Sequence, residues 1–291
     1  MNNNLIFAGG IMSALVVAGL IAVAGSTGGS SIGGFPLFAM LVGFSFIVQW
    51  LLFIPAFIFQ TEKFFDLAGS LTFITLALLA LVLSNFEEGS LVIAAMVVVW
   101  AIRLGSFLFL RIHRAGEDRR FRSIKPDFLQ FLMTWTLQGM WVSLTFSAGL
   151  AAMTSGREHP VDAVVLAGVV LWFAGFLIEV VADNQKTRFR RHEENANRFI
   201  HEGLWRISRH PNYFGEILLW LGITIVALPV LEGWQFATLA SPVFVWLLLT
   251  KISGVRMLEN RARKQWGEDP DYQAYHKRTP MLIPNPFLLR K

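Results

Sequence analysis

The stretch GLWRISRHPNYFGEI at 203–217 gathers more chemistry-bearing side chains than any other in the chain. Pro211 disfavours helix at His210 and pre-sets the first turn of a helix that starts there. Asn212 and Glu216 then share one face, and Gly215 between them leaves room for another backbone or a flat ring. Arg206, Arg209 and His210 line that helix start, where an anion is naturally held. The plainer alternative is a turn at the membrane surface with a satisfied glutamate. Upstream, Glu179, Asp183, Lys186 and Arg190 align on one helical face, with Arg188 and Arg191 beside them. Two carboxylates one turn apart repel unless each finds a cation or a donor. They form a local salt-bridge ladder, or they accept from sugar hydroxyls while neighbouring arginines hold phosphates.

Arg103 sits inside an apolar run, WAIRLGSFLFLR, where an ionised group costs at least ~2.5 kcal/mol. Trp100, Arg103, Phe107 and Arg111 recur at three- and four-residue spacing along one face. A snorkelling or internally paired arginine competes there with a phosphate or amide contact. Near the C-terminus, Arg256, Glu259, Arg261 and Arg263 precede WGEDPDYQAYHKRTPMLIP, whose Tyr272, Tyr275 and prolines 280–286 suggest a tail folded back as a lid. QTEKFFD at 60–66 offers Gln60, Glu62 and Asp66 at a helix junction, either as an acid or as an ordinary capped turn. The chain has no cysteine, which excludes disulfides, thiolate metal sites and cysteine nucleophiles, and no metal site is expected. The run GSTGGSSIGG at 25–34 lacks the Lys-Ser/Thr of a phosphate loop and reads as a flexible connector. No GxGxxG occurs, so any nucleotide is held outside a Rossmann fold.

The elements that must position these groups are membrane helices. The chain has 291 residues, of which 54% are hydrophobic and 15% charged, against about a quarter charged in a soluble domain. Apolar blocks run over 5–24, 35–59, 67–84, 91–110, 128–152, 161–182, 214–231 and, shorter, 236–249. Most have the length a helix needs to cross the hydrocarbon, and lipid leaves such runs only the helix. The expected fold is an all-α polytopic bundle of about seven or eight spans. Residues 1–90 are expected to shape a substrate cavity, and 91–291 to form a C-terminal domain holding the cofactor.

Lys and Arg collect in 113–127, 183–213 and 253–291, while the opposite loops carry only Arg157. The positive-inside rule then puts the basic face and the C-terminus in the cytoplasm. A net charge of +5 that flanks membrane helices argues against nucleic acid as a partner. The apolar run ending at Ala24 lacks the basic start of a signal peptide and reads as a retained helix.

GLWRISRHPNYFGE, VVADNQKTRFRR, RLGSFLFLRIHRAGEDRRF and the terminal Tyr-x2-Tyr-x-(Lys-Arg)-x-Pro…Ile-Pro run resemble the membrane steroid 5α-reductases, most closely their bacterial relatives. The likeness covers roughly residues 91–291. A wider kinship takes in sterol C14-reductases and isoprenylcysteine or phospholipid methyltransferases. The resemblance implies NADPH held inside the bundle, reducing the Δ4 bond of a 3-oxosteroid. It carries cofactor contacts onto Asp183, Arg190, Arg198, Asn212, Glu216 and Arg256, with more around Arg111, Arg114 and Glu259. Arg103, Glu179, His210, Tyr213 and Arg263 complete the expected cofactor set. The family's carbonyl-polarising pair is a Glu from an early helix and a Tyr. Here the Tyr position falls close to Trp100, whose indole donates a hydrogen bond but delivers no proton. The acid is therefore expected at Glu62 or Gln60. The expected substrate is a flat, apolar enone, the other partners are membrane lipids, and the protein is expected to act as a monomer. In a bacterium it would lie in the inner membrane; in a eukaryote, in the endoplasmic reticulum. The competing readings are a methyltransferase using S-adenosylmethionine, which His-Pro-x-Tyr-x-Gly also fits, and a transporter, for which no inverted repeat is visible.

Overall fold

The computed structural model describes residues 3–84 and 86–290. They pack as two units, Met1–Leu166 with Ile223–Ser241, and Ala167–Gly222 with Pro242–Lys291. The boundary expected after residue 90 is one of function, whereas these units are ones of packing.

In the first unit, α1 (Asn3–Gly25) leads into a two-stranded antiparallel ribbon, β1 (Ser31–Ile32) with β2 (Phe35–Pro36). Gly33 and Gly34, at φ 58° and 83°, make the two-residue turn such a hairpin needs. The glycine-serine run is thus a built turn rather than a loose connector, and Ser30 N–H donates to Thr154 O at 2.8 Å. Next come α2 (Leu37–Ile58), α3 (Phe65–Leu83) and α4 (Glu88–Ala115). α3 and α4 run antiparallel: a Cβ at Gly105 would lie 2.7 Å from Ser70 Cβ, and the Phe73 ring meets Trp100 edge-on at 5.1 Å. Gly116 ends α4 at φ 81°, the left-handed cap glycine adopts freely.

Asp127 caps the next helix, accepting from Gln130 N–H at 2.8 Å. The apolar block 128–152, read from the sequence as one span, breaks at Phe146 into α5 (Phe128–Thr145) and α6 (Ser147–Met153). Polar side chains run through its inner face. Gln138 donates to Gln49 Oε1 at 3.1 Å and to Phe65 O at 2.7 Å, Gln49 donates to Thr72 at 2.8 Å, and Ser45 meets Ser143 at 2.8 Å. Shielded by α1, α2 and α3, these groups find partners where lipid would offer none.

Among the described residues seven helices are long and apolar enough to cross a membrane: Asn3–Gly25, Leu37–Ile58, Phe65–Leu83, Glu88–Ala115, Ala163–Arg191, Pro211–Val230 and Gly233–Trp266. The protein is a multi-pass membrane helix bundle. The short block 236–249 is part of the last of these, while α5 is absent from the set. Even so, α5 and α6 traverse the unit. Before them Asp118 N–H donates to Glu62 beside the C-terminal end of α4; after them His159 O accepts from Gly89 N–H at the N-terminal end of α4, at 2.7 Å. Leu5, Val16, Leu20 and Val23 of α1 face outward, as lipid requires. Exposed Phe35 and Trp234 suit the aromatic belt of a membrane interface.

In the second unit, α7 (Ala163–Arg191, from Ala167 onward) packs against α9 (Pro211–Ala227, as far as Gly222) through glycines seven residues apart on each helix. A Cβ at Gly175 would come within 2.6 Å of Gly215 O, and one at Gly222 within 2.7 Å of Gly168 O. The backbones therefore touch directly, as small residues permit in membranes. Between them lie residues 192–210 with the short α8 (Leu204–Ile207). After α10 (Ala240–Leu247), Leu248–Ile252 form a π-helical turn that leads to α11 (Gly254–Trp266). Pro270 opens α12 (Pro270–Arg278), and Asp269 caps it by accepting from Asp271 N–H at 2.8 Å.

Candidate functional site

The glycine contact that joins α7 to α9 also aligns their polar ends. Asn212 Nδ2 donates to Asp183 Oδ1 at 3.2 Å. Glu179, one turn deeper on α7, is 2% exposed, and Asp183 is 7% exposed. A Cβ at Gly215 would sit 2.7 Å from Glu179 N, so the room left by this glycine is filled by the α7 backbone, not by a ring. Glu216 is half-buried on the next position. Four expected residues from two distant stretches, Glu179, Asp183, Asn212 and Glu216, thus gather at one helix pair. Arg190, Arg198, Arg256 and Arg263 are exposed, and Arg190 belongs to the same helix as the two carboxylates.

A second cluster forms around Glu259 on α11. Its Oε1 accepts from Arg209 Nε at 3.0 Å and meets His210 Nε2 at 2.8 Å; its Oε2 meets His276 Nε2 at 2.8 Å. Arg209 also donates to the carbonyls of His276 and Thr279, both at 2.8 Å. The His210 ring lies parallel to Tyr213, 5.8 Å between centroids, and a Cβ at Gly254 would lie 2.8 Å from the Tyr213 ring. Burial lowers the pKa of His210 more than Glu259 raises it. The cluster locks the α9 start, α11 and the tail together.

The tail does fold back. Arg209 N–H donates to Pro280 O at 2.9 Å, Asn285 N–H to Ile207 O at 2.9 Å, and Ser208 Oγ to Leu282 O at 2.7 Å. Tyr275 Oη donates to Trp205 O at 2.7 Å, and burial pushes its phenol pKa up. Trp205 in turn donates to Ala182 O at 3.0 Å, one residue from Asp183, and carries Lys186 Nζ 4.4 Å over its ring. Phe199, Trp266, Tyr272 and Tyr275 close an aromatic group beneath.

The groups expected to act on a carbonyl belong to the first unit. Glu62, 2% exposed, pairs with Lys125 and accepts from Asp118 N–H at 2.9 Å. Gln60 is exposed at φ 50°, and its amide donates to Phe57 O at 2.8 Å. Trp100, 1% exposed, packs among Phe73 and Trp141. The α3–α4 register puts it roughly 20 Å along α4 from the end that meets Glu62. On the same helix Arg103 lies 5.3 Å over the Phe107 ring, while Arg111 and Arg114 are exposed. Lys125 and His276 were not singled out from the sequence: Lys125 pairs with a carboxylate 63 residues away and His276 with one on the preceding helix, and no local spacing announces either.

Seven apolar helices with an internal polar traverse, and carboxylates brought to an amide across a glycine contact, define a multi-pass membrane protein with a polar site at one helix end. Its sequence matches the family described as "Protein of unknown function (DUF1295)" over residues 52–279, and the chain belongs to that family. The match begins well before residue 91, so the family likeness includes α3 and the last two turns of α2. Over 226 residues it is 24% identical to "Uncharacterized protein C594.04c" of Schizosaccharomyces pombe, covering 67% of this chain and 63% of that one. Over 72 residues it is 32% identical to "3-oxo-5-alpha-steroid 4-dehydrogenase 1" of Bos taurus, covering 25% of this chain and 28% of that one. The matches span less than two thirds of either relative.

Proposed function

We propose that this protein is an NADPH-dependent reductase of a carbon–carbon double bond conjugated to a ketone, acting on an apolar, steroid-like enone. The observation that carries the reading is the approach of Asp183 to Asn212, with Glu179 buried beside them and Arg190 further along the same helix. The donor set suits the cofactor: carboxylates accept from ribose hydroxyls, an amide does both, and guanidinium groups pair with phosphates. In this reading Asp183, Asn212, Glu216 and Glu179 orient the nucleoside part, while Arg190, Arg198, Arg256 and Arg263 hold phosphates. The basic helix ends and the C-terminus face the cytoplasm, where NADPH is supplied.

When bound, NADPH supplies the hydride that adds to the β carbon of the enone. The chain must then neutralise charge growing on the carbonyl oxygen, a task worth most in a dry site. Glu62 and Gln60 are the expected donors. Both Glu62 oxygens accept hydrogen bonds, from Asp118 N–H and from Lys125, so at the Glu62 position the proton is supplied by the Lys125 ammonium paired with it.

The test is the decay of enone absorbance with testosterone or progesterone in the presence of NADPH, which Glu216→Ala should abolish. Purified protein that neither binds nor oxidises NADPH refutes the reading. Stabilisation by S-adenosylmethionine instead, in the same thermal-shift series, would move the assignment to a methyltransferase.

A further inference from the structure

The folded-back tail leaves an open groove of about 640 Å3 beside the start of α9, lined by Arg209, Lys277, Arg278, Ile283 and Phe287 among others. Its two halves differ in chemistry. Lys277 and Arg278 are exposed at the end of α12, and no carboxylate among the described residues pairs with either. Ile283 and Phe287 stand 69% and 72% exposed. A tail in water would gain by tucking these two side chains away. The tail's backbone is instead pinned to the residues just before Pro211, through Arg209 to Pro280 and Ile207 to Asn285, both 2.9 Å. Since Pro211 opens a membrane span, the groove is held at the level where headgroups meet acyl chains. Cations with unpartnered apolar side chains at that level match a lipid that carries negative charge.

We propose that this groove binds an anionic phospholipid, its phosphate on Lys277 and Arg278 and its acyl chain against Ile283 and Phe287. The site is separate from the Asp183–Asn212 contact and stands whether or not NADPH is the cofactor.

The chain contains no cysteine, so full-length protein with Pro286→Cys carries one bimane reporter in the groove. Dioctanoyl-phosphatidylglycerol titrated into the detergent-solubilised protein should shift the emission to the blue. Dioctanoyl-phosphatidylcholine should do so far more weakly. Lys277→Gln with Arg278→Gln should weaken the apparent affinity about 30-fold, as expected for two cations near a charged surface. Lys277→Arg with Arg278→Lys should restore it, which separates charge from misfolding. Ile283→Ser should weaken binding of the lipid and leave any response to inorganic phosphate unchanged. The proposal is overturned if both lipids act alike, if the glutamine pair binds normally, or if inorganic phosphate displaces the reporter response as well as the lipid does.

Discussion

At the scale of single residues, charge and hydrogen bonding decide what each side chain can do. If Asp183 accepts from a ribose hydroxyl, Asp183→Asn should weaken NADPH binding by about 10- to 100-fold, the worth of a hydrogen bond to a charged group. Fluorescence titration of the bound nicotinamide measures this, and unchanged affinity would remove Asp183 from the site. His210 makes a separate prediction. Burial lowers its pKa in the fold, so folding favours the neutral ring. The stability from His210 is fully present above the unfolded value of about 6.5 and declines as pH falls below it. His159, whose ring meets Val226 O at 2.9 Å and whose pKa burial also lowers, acts in the same direction. The melting temperature in detergent should therefore drop between pH 8 and pH 5.5, and less steeply in His210→Gln. A melting temperature that is flat or rises on acidification contradicts this. Helical spacing put Asp183 and Asn212 each on the polar face of its own segment, but it did not announce their hydrogen bond to each other, which depends on how α7 and α9 pack. The pairing of Glu259 with His276 was not legible either, since their contact depends on how a tail returns.

At the scale of elements, the α7–α9 contact is the most constrained feature of the second unit. Gly175→Val and Gly215→Val push a branched side chain into the opposing backbone, which should cost about 1–3 kcal/mol each. Because that contact sets the distance from Asp183 to Asn212, loss of cofactor affinity should accompany loss of stability. A thermal-denaturation series compared with NADPH titration checks both, and wild-type behaviour of either variant would show that the helices are not pressed together there. The seven-residue glycine spacing was present in the sequence, but only Gly215 drew notice, and a flat ring was among the neighbours expected for it. Helix starts were legible where a residue removes or supplies a donor, as at Pro211. The break at Phe146 was not: only the small hydroxyls of Thr145 and Ser147 flank it in a block that stays apolar overall, and no Pro marks it.

At the scale of the whole molecule, hydrophobic length gave the membrane class directly, because crossing lipid leaves few solutions. It does not say which span is enclosed by the others. The 128–152 block reads as an ordinary span, yet its Gln138, Thr136 and Ser143 meet side chains of other helices. Its traverse of the first unit gives a topological prediction. Single cysteines placed by Arg122→Cys and Glu158→Cys should react with impermeant maleimide from opposite sides of sealed vesicles. Labelling of both from one side would mean that α5 and α6 do not cross.

That enclosed helix also bears on how the protein is made. A segment with Gln130, Gln138 and several hydroxyl side chains partitions poorly from the translocon into lipid alone. It therefore needs α1 to α3 waiting in the bilayer to accept its amides. A nascent chain lacking those three helices should leave 128–153 in the lumen or the cytosol, while restoring them should let it integrate. For this protein, biogenesis follows the order in which partners become available, not hydropathy taken one helix at a time.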